Sequence, residues 1–307
     1  MDTKSKIILI SGPTASGKSN FAVKLAKKIN GEIINADSMQ VYKQFKILTA
    51  RPSRKDQKNI KHHLYGVIDV KTNFSTGNWL KLATKKIYEI KKRKKIPILV
   101  GGTGLYFNSL VNGLVKIPNI PIKFRNKIRL MQKKNGQKKF YKKLIKIDPK
   151  VKDKIDSNDS QRSIRAYEIK SHSKKSMYDW LSQTKPSFRE NEFLKLYINF
   201  DRKELIERIE KRTTKMVKSG AIKEVRKFRN LKISNQSSVN KVIGIQELSN
   251  FLEKKIKIEE AKELISIRTR QYAKRQATWG RSKMITWNKV EPKDIQLWIK
   301  KINISDF

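Results

Sequence analysis

The chain has 307 residues, with 72 Lys and Arg against 27 Asp and Glu, a net charge of +45 and no Cys. Disulfides, thiolate metal sites and cysteine nucleophiles are therefore excluded, and a reducing, cytoplasmic setting fits. Met1 to Lys6 is short and polar, and no apolar run approaches the roughly 20 residues that span a bilayer, so a soluble, intracellular protein with no membrane partner is expected.

The charge points first to a polyanionic partner, nucleic acid above all. The same Lys-, Ile- and Asn-rich composition is also what AT-rich coding sequence drifts towards, so charge alone leaves both readings open. Hydrophobic residues make up 37%, enough for a core, and the length suits one large domain, two domains, or one domain carrying an insertion.

Ile7–Ile10 reads as a buried parallel strand ending at Gly12. Phe21, Ala22, Leu25, Ala26 and Ile29 follow at helical spacing. Glu32–Asn35 and Ile96–Val100 read as further strands, the latter closed by Gly101-Gly102. Strand, glycine turn and helix in repetition predict a doubly wound α/β core. Lys116 to Pro121 reads as a linker, and Ile122 to about Pro186 as a basic helical insertion. Leu196–Phe200 returns to a strand pattern. Leu205, Ile209 and Met216–Val217 then share one stripe of a long helix, and Ile258, Ala261, Leu264–Ile265, Tyr272 and Trp279 continue at helical intervals. The expected division is a catalytic core of residues 1–115 and 190–307 around an insertion of residues 116–189.

Gly12-Pro13-Thr14-Ala15-Ser16-Gly17-Lys18-Ser19 fits G-x-x-x-x-G-K-[ST] in full, after an apolar strand and before a helix. Its glycines let successive N–H groups face one point, and the helix adds its positive end. Lys18 supplies a point charge, and the Ser19 hydroxyl is a candidate Mg2+ ligand. The loop serves kinases, nucleotide hydrolases and other phosphate-handling enzymes alike, and by itself suggests ATP.

Three further segments narrow the choice. Asn35 to Tyr42 follows the second strand, so Asp37 falls at the ligand-binding edge of the sheet. There it serves as a Mg2+ ligand, a general base or a helix N-cap. Leu99 to Tyr106 is a second glycine turn, offering the Thr103 hydroxyl. Thr269 to Arg281 interleaves cations with Gln and aromatic residues, a pattern suited to RNA or to a solvated basic helix. Arg268 and Arg275, and likewise Lys274 and Arg281, are seven apart and share a side of that helix.

Together, GPTASGKS, NADSMQVY, LVGGTGLY and TRQYAKRQATWGR, in this order, resemble the tRNA dimethylallyltransferase family. Phe74-Ser75, Asp159 to Ala166 and Val242-Ile243-Gly244 are also similar, so the resemblance covers nearly the whole chain. It implies transfer of a dimethylallyl group from its diphosphate to the exocyclic amine of the adenosine just 3′ of the anticodon, by a monomer with a P-loop, kinase-like α/β core and a helical insertion that grips the anticodon stem-loop. It implies Asp37 as the base, with Thr103 placing the leaving group or the target base. Arg212, or Arg208 one turn earlier, brings a second cation to the diphosphate. It assigns Asp37, Ser38, Met39 and Gln40, and Gln161, Arg162, Ser163, Ile164 and Arg165, to tRNA contact. Arg125, Thr103, Lys274, Arg275, Gln276 and Arg281 are further candidates. The chain departs from the family pattern at Lys46 to Pro52, at Gly77-Asn78-Trp79 and at Ile245-Gln246-Glu247. Two rivals remain: a P-loop kinase acting on a small metabolite, which leaves the basic C-terminal motif without a role, and a nucleotide-regulated RNA-binding protein, which leaves Asp37 and Thr103 without one.

Overall fold

Strands that are apolar on both faces need cover on both faces, and the sheet is built accordingly. The structure, a computed structural model, describes residues 6–115, 117–234 and 237–302. In chain order the elements are β1 (Ile7–Ser11), α1 (Lys18–Lys28), β2 (Gly31–Asn35), α2 (Arg54–Gln57), β3 (His62–His63), α3 (Thr76–Lys92), β4 (Ile96–Gly101) and α4 (Gly104–Val111). Then come α5 (Ile122–Ile147), α6 (Ser160–Ser173), α7 (Met177–Leu181), β5 (Phe193–Ile198), α8 (Arg202–Met216), α9 (Ile222–Arg229) and α10 (Ile245–Leu252). The last are α11 (Ile258–Lys283), β6 (Asn288–Val290) and α12 (Ile295–Lys301).

The chain divides into two units, Met1–Val111 with Phe188–Phe307, and Asn112–Ser187. In the first, six strands form one sheet in the order β3-β2-β4-β1-β5-β6, every pair parallel. Side chains alternate between two apolar layers. Ile7, Leu9, Ile34 and Leu99 pack with Trp79, Ile87 and Phe107 from α3 and α4. Ile8, Ile10, Ile33 and Ile98 pack with Phe21, Leu25 and Ile29 on the other face. A third cluster joins Val41, Phe45 and Leu48 to α9, α10 and the start of α11.

The order β2-β4-β1 positions everything that follows. The C-terminal ends of these three neighbours carry Asp37, Thr103 and the phosphate loop, so segments far apart in sequence emerge along one edge of the sheet. This is where open α/β sheets bind ligands.

The second unit is helical among its described residues, and Lys116 of the expected linker lies outside them. Leu144, Val151, Ile155 and Ala166 form its buried core. The α5 span is two helices joined at Gly136, whose φ of 71° and ψ of 163° break the helical path. Three strand details differ from the sequence reading. β5 runs Phe193–Ile198, starting three residues early, while β3 and β6 have two and three residues and were not foreseen. Pairs so short have no measurable alternation, and only sheet neighbours define them. Among the described residues no helix is long and apolar enough to cross a membrane.

Candidate functional site

The phosphate loop leaves β1 and closes on α1. Gly17 caps α1 at φ 86°, a left-handed conformation that a Cβ disfavours, and so delivers the helix N-terminus to the loop. Lys18 folds back so that its Nζ donates to Pro13 O at 3.0 Å. Burial pulls the Lys18 ammonium down to about 8, opposed by the nearby Asp37 and reinforced by Arg212. A partly desolvated cation with a weakened hold on its proton is set to gain from an incoming anion. The Ser16 hydroxyl is buried in the same loop with no partner among the described residues.

Asp37 stands in a turn fixed by its neighbour Asn35. The Asn35 side chain, fully buried, accepts from Asp37 N at 2.9 Å and donates to Asp37 O at 3.0 Å and to Leu64 O at 3.1 Å. Beneath it, the Trp79 indole donates to Asn35 O at 2.8 Å and stacks on Tyr106 with centroids 4.2 Å apart. Asp37 Oδ1 accepts from Met39 N at 2.9 Å and Gln40 N at 3.4 Å. The carboxylate is therefore oriented by the backbone on one oxygen, as a cap is, while lining the cavity as a base must. Three phenols lie near it. Burial first, and the Asp37 charge second, push the Tyr65, Tyr106 and Tyr272 hydroxyls upward, which keeps all three neutral.

Thr103 joins the two turns. Its Oγ1 accepts from Ser38 N at 3.0 Å and donates to Ser38 Oγ at 3.3 Å, while Thr103 N donates to Ala36 O at 3.2 Å. From α8, Arg212 donates to Thr14 Oγ1 at 2.9 Å. Its guanidinium is held below its ordinary value by burial, with Asp37 pulling the other way. Arg208 instead lies over the Phe200 ring at 4.4 Å. Arg212 lines the loop's cavity, while Arg208 packs on that ring with its Nη1 still 3.7 Å from where a Cβ of Gly17 would lie, so both cations stand by the loop.

This cavity, of about 510 Å³, is bounded by Thr14, Lys18, Ser19, Asp37, Gln40 and Arg212. A larger one, about 880 Å³, lies between α8 and α11 and meets the phosphate loop only at Pro13. The smaller one holds the acid, the cations and the helix end, and is the candidate site. Among the described residues no cluster of three or more His, Asp or Glu is placed to hold a metal. The Ser19 residue offers one hydroxyl oxygen to the lining of this cavity. That fits Mg2+, which commonly takes one or two protein oxygens and completes its shell with water and substrate phosphate.

The candidate RNA contacts divide sharply. On α11, Lys274, Arg275 and Arg281 are exposed. Gln276 is half-buried, bonded to Thr14 N and Gly102 O. Arg268 pairs with Glu247 at 2.8 Å. Gln40 gives its side-chain N–H groups to Thr49 O and Ala50 O, at 2.8 and 3.2 Å. The Lys46 to Leu48 backbone, in a segment that departs from the family pattern, donates three N–H bonds to the Glu224 carboxylate. In the helical unit Gln161 and Arg162 are exposed, while Ile164 and Arg165 are half-buried. Ser163 is a correction: it is fully buried, and its hydroxyl accepts from Gln137 at 3.1 Å, so it faces the core of that unit and away from any RNA. Arg125 and Arg165 reach the buried Glu168 carboxylate at 3.1 and 3.0 Å.

Sequence reasoning quoted Asn35, Trp79 and Tyr272 without giving them a part in the site. Asn35 had a signal, an Asn at a strand end two residues before an Asp. Trp79 and Tyr272 had none, since helical spacing makes each look like core.

The model of the family described as IPP transferase matches residues 40–283. That span begins after the phosphate loop and Asp37. Full-length similarity covers the rest. The tRNA dimethylallyltransferase of Pelagibacter ubique is 67% identical over 99% of this chain and 97% of its own length. That of Rickettsia massiliae is 42% identical over 92% of this chain and 78% of its own. Among solved structures, the full-length tRNA isopentenylpyrophosphate transferase of Bacillus halodurans is 32% identical, with a TM-score of 0.69 over 97% of this chain and 95% of that one. A eukaryotic dimethylallyltransferase acting on tRNA is 30% identical, with a TM-score of 0.82 over 96% of this chain and 75% of that one.

Proposed function

The chain belongs to the family of tRNA dimethylallyltransferases, prenyl-transferring enzymes, and from that membership we propose how its site works. Dimethylallyl diphosphate binds with its diphosphate on the phosphate loop, and the acceptor is the exocyclic amine of the adenosine 3′-adjacent to the anticodon. The observation that carries this reading is the meeting of Asp37, Lys18 and Arg212 in one cavity at the helix N-terminus.

The amine is a poor nucleophile because its lone pair is delocalised into the ring. Asp37 accepts its proton as the new C–N bond forms at the allylic carbon. The C–O bond to diphosphate breaks, and negative charge grows on the departing oxygens. Loop N–H groups, the Lys18 ammonium and the Arg212 guanidinium stabilise it. Ser19 would hold Mg2+, which when bound would neutralise part of the diphosphate charge and leave Asp37 free to act as the base. Thr103, bonded to the Ser38 turn, places the target base beside Asp37. No nucleoside triphosphate is consumed, which separates this reading from the kinase one.

The target base leaves the anticodon-loop stack to reach such a site. Lys274, Arg275 and Arg281 on α11 offer phosphate contacts, and Gln161, Arg162, Arg165 and Arg125 offer a second basic surface on the helical unit. A monomer working in the cytoplasm suits these parts. The test is direct. Purified protein, Mg2+, dimethylallyl diphosphate and unmodified tRNA with adenosine at that position are expected to give one prenyl group per tRNA, read by mass spectrometry of the digested RNA. Phosphate transfer or ATP hydrolysis without the modified nucleoside would overturn the reading.

A further inference from the structure

One primary amide connects three parts of the site. Gln276 Oε1 accepts from Thr14 N at 2.8 Å, and its Nε2 donates to Gly102 O at 2.9 Å. These partners stand 262 and 174 positions away in sequence. Gly102 makes the approach possible, since a Cβ there would lie 2.0 Å from Nε2. Thr14 in turn accepts from Arg212 on its hydroxyl.

The backbone N–H of Thr14 is therefore taken by Gln276, and the anion cradle falls to the later loop residues. The far end of the amide holds the β4 turn, whose next residue is Thr103. The loop that carries the leaving group and the turn that faces the acceptor are thus fixed at one separation by a single side chain. A displacement of about 1 Å between reacting groups costs on the order of 100-fold in rate.

We propose that Gln276 is a positioning residue for group transfer, bracing the phosphate loop against the Gly102–Thr103 turn so that donor and acceptor meet in register. It does this through contacts within the protein, in place of the RNA contact that the motif suggests. The inference rests on the transferase reading above. The chemistry demands an acceptor and a donor on one planar group of this length. A Glu carboxylate keeps the acceptor for Thr14 but sets an oxygen against Gly102 O and brings negative charge to an anion site. A protonated Glu regains the donor.

The experiment compares wild type, Gln276→Met and Gln276→Glu as full-length proteins, with dimethylallyl diphosphate and an unmodified anticodon stem-loop, alongside thermal melting. For Gln276→Met, kcat is expected to fall at least tenfold with KM for RNA changed less than threefold. For Gln276→Glu, activity relative to wild type is expected to rise at least fivefold between pH 8 and pH 6. Inorganic pyrophosphate binding, measured by calorimetry, is expected to weaken at least threefold in Gln276→Met. A loss confined to KM for RNA makes Gln276 a direct RNA contact and overturns the proposal, as does a wild-type kcat or a pH-independent Glu ratio. If Gln276→Met does not fold, the Glu ratio decides. If wild type transfers no prenyl group, the transferase reading fails by itself, and the pyrophosphate arm still decides whether the brace shapes the loop.

Discussion

In the α/β unit, Lys18 and Arg212 are half-buried around one carboxylate, Asp37, and desolvation lowers both from their ordinary values, whereas in the helical unit Arg125, Arg129 and Arg165 stand between 35% and 42% exposed around Glu168. Each arrangement sets several cations on one acid, but the surroundings invert its meaning. Cations that are partly desolvated interact strongly with any charge brought among them, because less water screens the pair. Half-exposed guanidiniums keep most of their hydration and act on a polyanion at longer range, weakly and in a salt-dependent way. Between residues 112 and 187 the only carboxylates are Asp148, Asp153, Asp156, Asp159, Glu168 and Asp179, so the helical unit keeps a large excess of positive charge. The first arrangement is expected to govern the chemical step, and the second the encounter with RNA.

Asp37→Asn breaks the comparison hardest. Asn preserves an oxygen for Met39 N and Gln40 N, so the turn is expected to survive. The base is lost, and the single-turnover rate of prenyl transfer is expected to fall by a factor on the order of 10² to 10⁴. Pyrophosphate binding should change little, since Lys18 and Arg212 remain. A near-normal rate would mean that the carboxylate only caps its turn, and that the proton leaves by another route.

How much of this was legible follows from range. The phosphate loop and the α/β class were readable because strand, turn and helix signals there lie within twenty residues. Arg212 and Arg208 are both legible on their helix, but which of them bonds Thr14 is not. The Gln276 brace and the Trp79–Asn35 bond join residues far apart in sequence, and no local spacing encodes them. Ser163 shows the opposite failure. A motif marks its neighbourhood, yet a helix turns every third or fourth side chain inward, and α6 buries Ser163 together with Ala166 and Ile169.

The second prediction concerns pH and is smaller. Lys18 titrates at about 8 in the free protein because burial disfavours its charged form. A diphosphate favours that form. Below pH 8 the ammonium is present and binding is at full strength; above pH 8 binding must also capture a proton. Affinity for pyrophosphate is therefore expected to fall about tenfold per pH unit above 8, measured by calorimetry between pH 7 and 9.5. Lys18→Gln should bind more weakly and lose this slope. An unchanged slope in that variant would assign the titration to another group.

The smallest effect tests the other side of the comparison. Arg162 is 63% exposed and pairs with Asp159, the acid that also caps α6 by accepting from Arg162 N at 2.9 Å. An exposed pair of this kind adds at most about 1 kcal/mol, so Arg162→Ala should leave the melting temperature nearly unchanged. Asp159 keeps its capping bond, because the donor is the backbone and survives the substitution. What changes is one cation on the surface proposed to meet RNA. Stem-loop affinity is expected to drop a few-fold and the slope of log affinity against log salt to shrink by about 1, with kcat unaltered at saturating RNA. A variant that lowered kcat while keeping the salt slope would place Arg162 with the desolvated cations, and the division between a unit that reacts and a unit that attracts would not hold.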